Sequence, residues 1–132
     1  MKFKLLTTAI TLLITQTALA SPANPVPCPS VQALKSVGVS TVSYGNGGWW
    51  GVRWNNDFNT KNSWSLFVGP LKVHGEDKVV GEANSQISKL IYADSDMYEG
   101  LTLCEYKGPD GVGAQAISTA LAPSGEIFKL VR

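Results

Sequence analysis

The sequence has little of what most site chemistries require: it contains one histidine, two cysteines, and only 16% charged residues. Basic and acidic residues nearly balance, at 11 and 10, and no block of lysine or arginine is present. The absence of a basic cluster argues against a nucleic-acid partner. After the N-terminus there is no apolar run of about 20 residues, which argues against a membrane span. These absences favour a soluble protein that acts on small molecules or on other proteins.

The first 20 residues are typical of a cleaved export signal. Two lysines precede an apolar, threonine-rich stretch that ends at Leu19, and alanines occupy the −3 and −1 positions before Ser21. The apolar stretch is too short to span a bilayer comfortably. No cysteine follows it directly, so a lipid anchor is not expected. We therefore expect an exported protein, either periplasmic or secreted.

Cleavage after residue 20 would leave 112 residues, which is enough for one small domain and too few for two. Residues 21–27 are rich in proline and lack a hydrophobic period, which predicts an extended, mobile leader. The domain itself is predicted to cover residues 28–132. Its nine basic and ten acidic residues would give a net charge of about −1.

Both cysteines, Cys28 and Cys104, lie beyond the predicted cleavage site. In an oxidising compartment an even number of cysteines predicts a disulfide, whereas a redox or metal pair would need the close spacing of a Cys-x-x-Cys motif. The bridge would close a loop of about 76 residues and contribute ~4.5 kcal/mol in the chain-entropy model. That contribution is comparable with the whole stability of a small domain.

The hydrophobic periodicity predicts an α+β domain in the order α-β-β-β-α-β-β-β. Val31, Leu34 and Val37 recur at three-residue spacing and predict a short first helix. Helical spacing returns from 79 to 92 and is followed by a polar turn at 94–96. Alternating or β-branched segments predict the strands, at residues 39–44, 49–54, 64–68, 101–106, 114–121 and 126–131. Short links imply antiparallel pairing, in a sheet of about five to six strands with the two helices packed on it.

All four tryptophans lie in two segments near the middle of the chain, where they can dominate a small core. Side chains two residues apart in a strand point to the same face. Residues 50, 52 and 54 therefore share a face of the second predicted strand, and residues 64, 66 and 68 share a face of the third. We assign these six residues to the core: Trp50, Val52, Trp54, Trp64, Leu66 and Val68. Trp49 and Arg53 are left on the opposite face of their strand, where they could make a cation–π contact.

His74 is the only histidine, and the nearest acidic residues in the sequence are Glu76 and Asp77. No serine, lysine or cysteine forms a recognisable nucleophile motif with it, so no catalytic residue is assigned. The acidic run at 94–96 resembles the start of a calcium loop but lacks the later ligands, including a glutamate at position twelve. No metal site is assigned, and a lone histidine at a strand end is most often a surface or packing residue.

An aromatic and cationic surface is the best-supported candidate for binding. Tyr44, Trp49 and Arg53 could stack on a planar ligand, a sugar ring or a partner protein. In the structural alternative, these aromatic residues pack beneath the helices or the leader. The sequence leaves both interpretations open.

Several short motifs, taken in order, resemble those of a known family. Residues 28–34 read Cys-Pro-Ser-Val-Gln-Ala-Leu, tryptophans follow near mid-chain, and Cys-Glu-Tyr comes late, at 104–106. Together with the export signal, this arrangement is similar to that of a family of short exported Legionella proteins, some of which are labelled hemin-binding. The resemblance implies heme as a candidate ligand and carries no defined set of ligand residues.

For a heme protein, His74 is the natural axial candidate. The alternatives are Tyr44, Tyr92, Met97 and Tyr98. The absence of a Cys-x-x-Cys-His motif excludes covalent attachment. A single histidine also excludes bis-histidine ligation within one chain.

Three functions are compatible with the sequence. The first is a secreted or periplasmic binding protein for heme or another ligand, with a site drawn from His74, Tyr44, Trp49 and Arg53. The second is an interaction protein that contacts an envelope or host partner through Trp49 and Arg53, without a small-molecule ligand. The third is a small hydrolase or enzyme inhibitor, which would need clustered titratable groups in a pocket.

Overall fold

The computed structural model describes residues 25–118, which form one antiparallel sheet with two helices packed against it. The helices are α1 (Val31–Val37) and α2 (Val79–Ile87). The strands are β1 (Thr41–Gly45), β2 (Gly48–Asn56), β3 (Trp64–Leu71), β4 (Ile91–Tyr98), β5 (Leu101–Lys107) and β6 (Gly113–Ser118). Their order across the sheet is β1-β2-β3-β6-β5-β4. The α+β class and the predicted order of elements are confirmed.

Helix α1 begins and ends at residues suited to those positions. The Ser30 hydroxyl accepts a hydrogen bond from the backbone N–H of Ala33 at 3.1 Å, which caps the first turn. Gly38 has a φ of 73°, which glycine adopts without steric cost, and its N–H donates to the Leu34 carbonyl at 2.8 Å. Ala33 and Leu34 are buried, so the helix turns one side toward the protein interior.

Helix α2 packs on one face of the sheet through small and branched side chains. Val79, Ala83 and Ile87 recur every four residues and are fully or almost fully buried. Gly51 of β2 lies so close beneath the helix that a Cβ there would stand 2.5 Å from the Cβ of Ala83. Trp64 of β3 belongs to the same cluster of buried apolar side chains as these three helix residues. The helix and the β1–β3 side of the sheet are therefore in direct contact.

The tryptophan segments contribute to clusters on both faces of the sheet. Gly51 pairs with Val68 on the helix face, whereas Val52 pairs with Phe67 on the other. Of the six residues predicted for the core, five are buried and Trp54 is only half-buried. The central strands thus carry apolar side chains on both faces, and the sheet separates the core into two clusters.

Strand β4 lies where the sequence predicts the end of a helix and a turn. Helix α2 ends at Ile87, and the following segment pairs with β5 from Ile91 to Tyr98. Its side chains are mostly exposed, so it lacks the apolar alternation by which a half-buried strand is recognised. A register shift between Tyr92 and Asp94 disturbs the period further.

Several predicted segments lie outside the described residues. They are the export signal at 1–20, the first part of the leader at 21–24, and the last predicted strand at 126–131. Within residues 25–118, no helix is long and apolar enough to cross a membrane.

Candidate functional site

The segment before α1, residues 25–30, is attached to β5 at three points. The attachments join Val26 to Thr102, Cys28 to Cys104, and Pro29 to Tyr106. The first is a 3.1 Å hydrogen bond from a backbone N–H to the threonine hydroxyl. The second is the predicted disulfide, with Cα atoms 5.9 Å apart, and it is confirmed. The third is a hydrogen bond from the tyrosine hydroxyl to the proline carbonyl.

The three attachment residues on β5 are two positions apart, so their side chains point to the same face of the strand. The attached segment contains proline at 25, 27 and 29, and proline has no N–H to donate to a β-ladder. Side chains of β5 therefore hold the segment in place instead of a regular backbone ladder.

Tyr106 is a buried anchor that stays protonated at neutral pH. Burial raises its pKa well above the ordinary value of 10.0, and the neighbouring Tyr92 raises it further because two phenolates would repel each other. The protonated hydroxyl is the form that can donate to the Pro29 carbonyl.

A cleft of about 370 Å³ lies between this segment and β4. Tyr92 and Ser95 line it from the strand, while residues 25–30 line it from the other side. Because β4 pairs Tyr92 with Tyr106 and Ser95 with Cys104, both lining residues lie on the same face as the anchors. Tyr92 is 48% exposed, and its ring centroid is 5.8 Å from that of Tyr106. The volume falls within the range of small-molecule sites.

The lining of the cleft suits the apolar surface of a planar ligand. Proline rings and the ring of Tyr92 offer flat, rigid surfaces, and the phenolic oxygen of Tyr92 is a ligand type that heme iron accepts. The described lining residues include no lysine or arginine, so carboxylates on a ligand would point toward solvent. These residues would fit the edge of a heme-like ring system, and Tyr92 is the lining residue that would supply an oxygen ligand to its iron.

His74 lies away from this cleft. It is an exposed residue in the connection between β3 and a short 3₁₀ turn, Glu76–Lys78. The linings of the cleft and of two smaller cavities, of about 280 and 170 Å³, do not include it. Within residues 25–118, no hydrogen bond or ring contact joins His74 to Tyr44 or Trp49.

Arg53 has a structural role at the end of α1. Its guanidinium donates from Nε to the Gly38 carbonyl at 2.9 Å and from Nη2 to the Val37 carbonyl at 3.0 Å. These carbonyls belong to the last residue of the helix and to the glycine that caps it, where backbone acceptors lack partners within the helix and positive charge is favourable. The side chain connects β2 to α1, and this is the role that the structure gives it.

Tyr44 and Trp49 form an aromatic pair at one corner of the sheet. The register of the β1–β2 hairpin places them opposite each other, and their rings meet edge to face with centroids 4.8 Å apart. Tyr44 is 68% exposed, whereas Trp49 is partly buried against the helix-side core. The pair presents a small aromatic surface, and the described linings of the cleft and of the two smaller cavities include neither residue.

The acidic run on β4 is occupied by local hydrogen bonds. A carboxylate oxygen of Asp94 accepts from the N–H of Ser95 at 2.8 Å, and one of Asp96 accepts from Met97 at 2.7 Å. In the part of the chain that the structure describes, no group of three or more histidine, cysteine or acidic residues could hold a metal ion.

The structure brings together residues that sequence reasoning considered separately or not at all. From the sequence, Tyr92 is one of several alternative heme ligands, and no local pattern predicts a role for Thr102 or Tyr106. The sequence does contain a usable signal. Thr102, Cys104 and Tyr106 lie two residues apart on one predicted strand and so share a face. A segment that forms a disulfide with Cys104 must therefore lie next to the other two side chains. No family model, curated protein or solved structure matches the chain.

Proposed function

We propose that this chain is a small exported binding protein without catalytic activity, and that the cleft between residues 25–30 and β4 is its binding site. The carrying observation is the cleft itself, a space of about 370 Å³ held open by three attachments and lined by rigid rings. The ligand class is a planar, largely apolar ring system. Hemin is the member of that class that the family resemblance implies.

Export is supported by two independent features. The first 20 residues have the pattern of a cleaved signal, and Cys28 is bonded to Cys104. Structural disulfides persist mainly in oxidising compartments such as the periplasm and the extracellular space. The proposal therefore places the working protein outside the cytoplasm.

Tyr92 is the proposed axial ligand, in preference to His74. Tyr92 lines the cleft, and its exposed fraction of 48% leaves the phenol accessible to a bound ring. His74 is exposed as well, but the linings of the cleft and of the two smaller cavities do not include it. A concave lining matters because it covers part of the surface of a bound ligand, as the walls of small-molecule sites do.

The test is a spectroscopic titration of residues 21–132, with the disulfide formed, using hemin and metal-free protoporphyrin IX. We expect a saturable change in the hemin Soret band at one equivalent, weakened by about tenfold in Tyr92→Phe. Protoporphyrin should bind equally to both proteins, because it has no iron for the phenolate to ligate. Tyr98→Phe, which alters another exposed tyrosine of β4 outside the cleft, is the matched control.

Two results would contradict the proposal. Loss of hemin binding in His74→Ala, with Tyr92→Phe unchanged, would move the site to the β3–α2 connection. A spectral change that never saturates would mean that hemin only adsorbs to the surface.

A second candidate function is favoured by the Tyr44–Trp49 pair. An aromatic pair that lies at the surface and outside the cleft is typical of a protein contact surface, where aromatic side chains often act as anchors. In this alternative the chain binds an envelope or host protein, and no variant affects a hemin spectrum. Arg53 would contribute only indirectly, since it holds α1.

A further inference from the structure

Met97 is the only methionine in residues 21–132. Most methionines fill gaps in apolar cores, but this one is half-buried, and neither described cluster of buried apolar side chains includes it. It lies on β4, at the end of the six-stranded order, directly opposite Thr102 of β5. The described lining of the cleft beside Tyr92 does not include it. A half-buried thioether on such a strand is within reach of small oxidants in solvent.

A chain of two hydrogen bonds connects Met97 to the segment 25–30. The backbone N–H of Val26 donates to Oγ1 of Thr102 at 3.1 Å, and the same hydroxyl donates to Sδ of Met97 at 3.5 Å. A hydroxyl has one proton and two lone pairs, so both bonds form at once. The backbone N–H of Met97 donates to the carboxylate of Asp96 at 2.7 Å, which fixes the position of the residue. The sulfur is thus the last acceptor behind one of the three attachments.

A thioether sulfur is a weak acceptor, and its oxidation creates a strong one. In the reaction with hydrogen peroxide, the O–O bond breaks, one oxygen forms a bond to the sulfur, and the other leaves as water. The sulfur is oxidised by two electrons to a sulfoxide. The sulfoxide oxygen holds the Thr102 proton more strongly than the sulfur does. Because hydrogen bonds in a chain polarise one another, the hydroxyl then becomes a better acceptor for the N–H of Val26.

We propose that Met97 is a reversible oxidation site that sets how tightly the segment 25–30 is attached to β5. The attachment at Val26 is weaker when the side chain is a sulfide and tighter when it is a sulfoxide. The oxidant is a peroxide. The reductant is a pair of thiols of a methionine sulfoxide reductase, which become a disulfide while the oxygen leaves as water. The site does not depend on the ligand of the cleft, since the two hydrogen bonds join protein groups only.

The test compares residues 21–132, with the disulfide formed, before and after treatment with hydrogen peroxide. Peptide mass spectrometry should find one added oxygen, at Met97. Amide hydrogen exchange, followed by NMR of the ¹⁵N-labelled protein, should slow about twofold at Val26, because cooperativity strengthens one bond by a fraction of its energy. The amide of Ala83, in the half of the sheet covered by α2, should be unchanged. A methionine sulfoxide reductase should restore the original rate, with the Cys28–Cys104 bond verified by mass.

Three variants separate the role of the sulfur from damage elsewhere. Met97→Leu keeps an apolar side chain without an oxidisable sulfur, so peroxide should not change its exchange at Val26. Met97→Gln places a carbonyl oxygen where the sulfoxide oxygen would be, and should slow that exchange without peroxide. Neither variant alters a buried residue, so both should fold. Thr102→Val removes the hydroxyl between the two partners, so oxidation of Met97 should no longer reach Val26.

The proposal is overturned if Met97 stays unmodified under conditions that oxidise N-acetylmethionine amide completely. It is also overturned if oxidation leaves exchange at Val26 unchanged or accelerates it, or if Thr102→Val responds as the unaltered protein does. Slowing by the same factor at Val26 and Ala83 would count against it too, because oxidation would then stabilise the whole domain and not this attachment. If Thr102→Val does not fold, the result with Met97→Gln decides.

Discussion

The two halves of the sheet are covered by different means. Over β1–β3, helix α2 packs directly on the strands, with Ala83 seated against Gly51. Over β5 and toward β4, the cover is the extended segment 25–30, held by one disulfide and two hydrogen bonds. The β1–β3 half is thus covered by a helix in continuous side-chain contact with it. The β4–β5 half is covered by a segment that is attached at three separate points.

The difference explains where the larger cleft forms. Contact packing brings the two surfaces together at close to crystal density and leaves little room between them. Attachment at points fixes the position of a segment without filling the space beside it, and the cleft next to Tyr92 is that space. A small domain can therefore keep a cleft open if a covalent bond supplies stability that packing does not.

The largest expected effect comes from breaking the attachment over β5. The Cys28→Ser/Cys104→Ser double variant should lose ~4.5 kcal/mol of unfolding free energy, because its unfolded chain is no longer restrained by the bridge. Urea denaturation followed by tryptophan fluorescence measures the loss. The unaltered protein under reducing conditions serves as a check and should lose the same amount. A loss below about 1 kcal/mol would mean that packing alone holds this half of the sheet.

A matched pair of glycine variants tests the packed half. In Gly51→Ala the new Cβ would lie 2.5 Å from the Cβ of Ala83 and 2.8 Å from a methyl carbon of Val39, so α2 or the connection just before β1 must shift. We expect a loss of about 1–3 kcal/mol. Gly81→Ala, in the exposed part of α2, meets nothing within 4 Å and should stabilise the protein by about 0.5–1 kcal/mol. Both are measured by thermal unfolding.

The glycine pair also sharpens the comparison between the two halves. If α2 is seated as closely as the distances indicate, the two alanine variants must change stability in opposite directions. Equal and small changes would mean that α2 moves away from the strand without cost. Its cover would then resemble that of the attached segment.

The sequence predicts those structural features that depend on a local pattern of residues or on the number of residues of one type. Cys28 and Cys104 were paired because only two cysteines remain after the export signal, and α1 was placed by the spacing of Val31, Leu34 and Val37. Strand β4 was missed because an exposed edge strand buries neither alternating set, and its Asp-Ser-Asp run is also typical of a turn.

The candidate site was harder to predict because it depends on contacts between distant parts of the chain. Val26 meets Thr102 across 76 positions, and no local pattern signals that contact. Arg53 was assigned to a binding surface because an arginine beside a tryptophan suggests a cation–π contact. Its actual partners are two helix carbonyls, which become available only when α1 folds beside β2.

The smallest expected loss of stability is at Tyr106, the anchor that depends on a single hydroxyl. Tyr106→Phe keeps the buried ring and removes the hydrogen bond to the Pro29 carbonyl, for a loss of about 1 kcal/mol at neutral pH. Because burial raises the pKa of Tyr106, the unfolded chain releases this proton at a lower pH than the folded one. The stability of the unaltered protein should therefore fall as pH rises above the ordinary tyrosine value of 10.0, and the phenylalanine variant should fall less steeply. Urea denaturation at pH 8 and at several values above 10 measures both slopes, and identical slopes would show that the anchor titrates as an exposed tyrosine does.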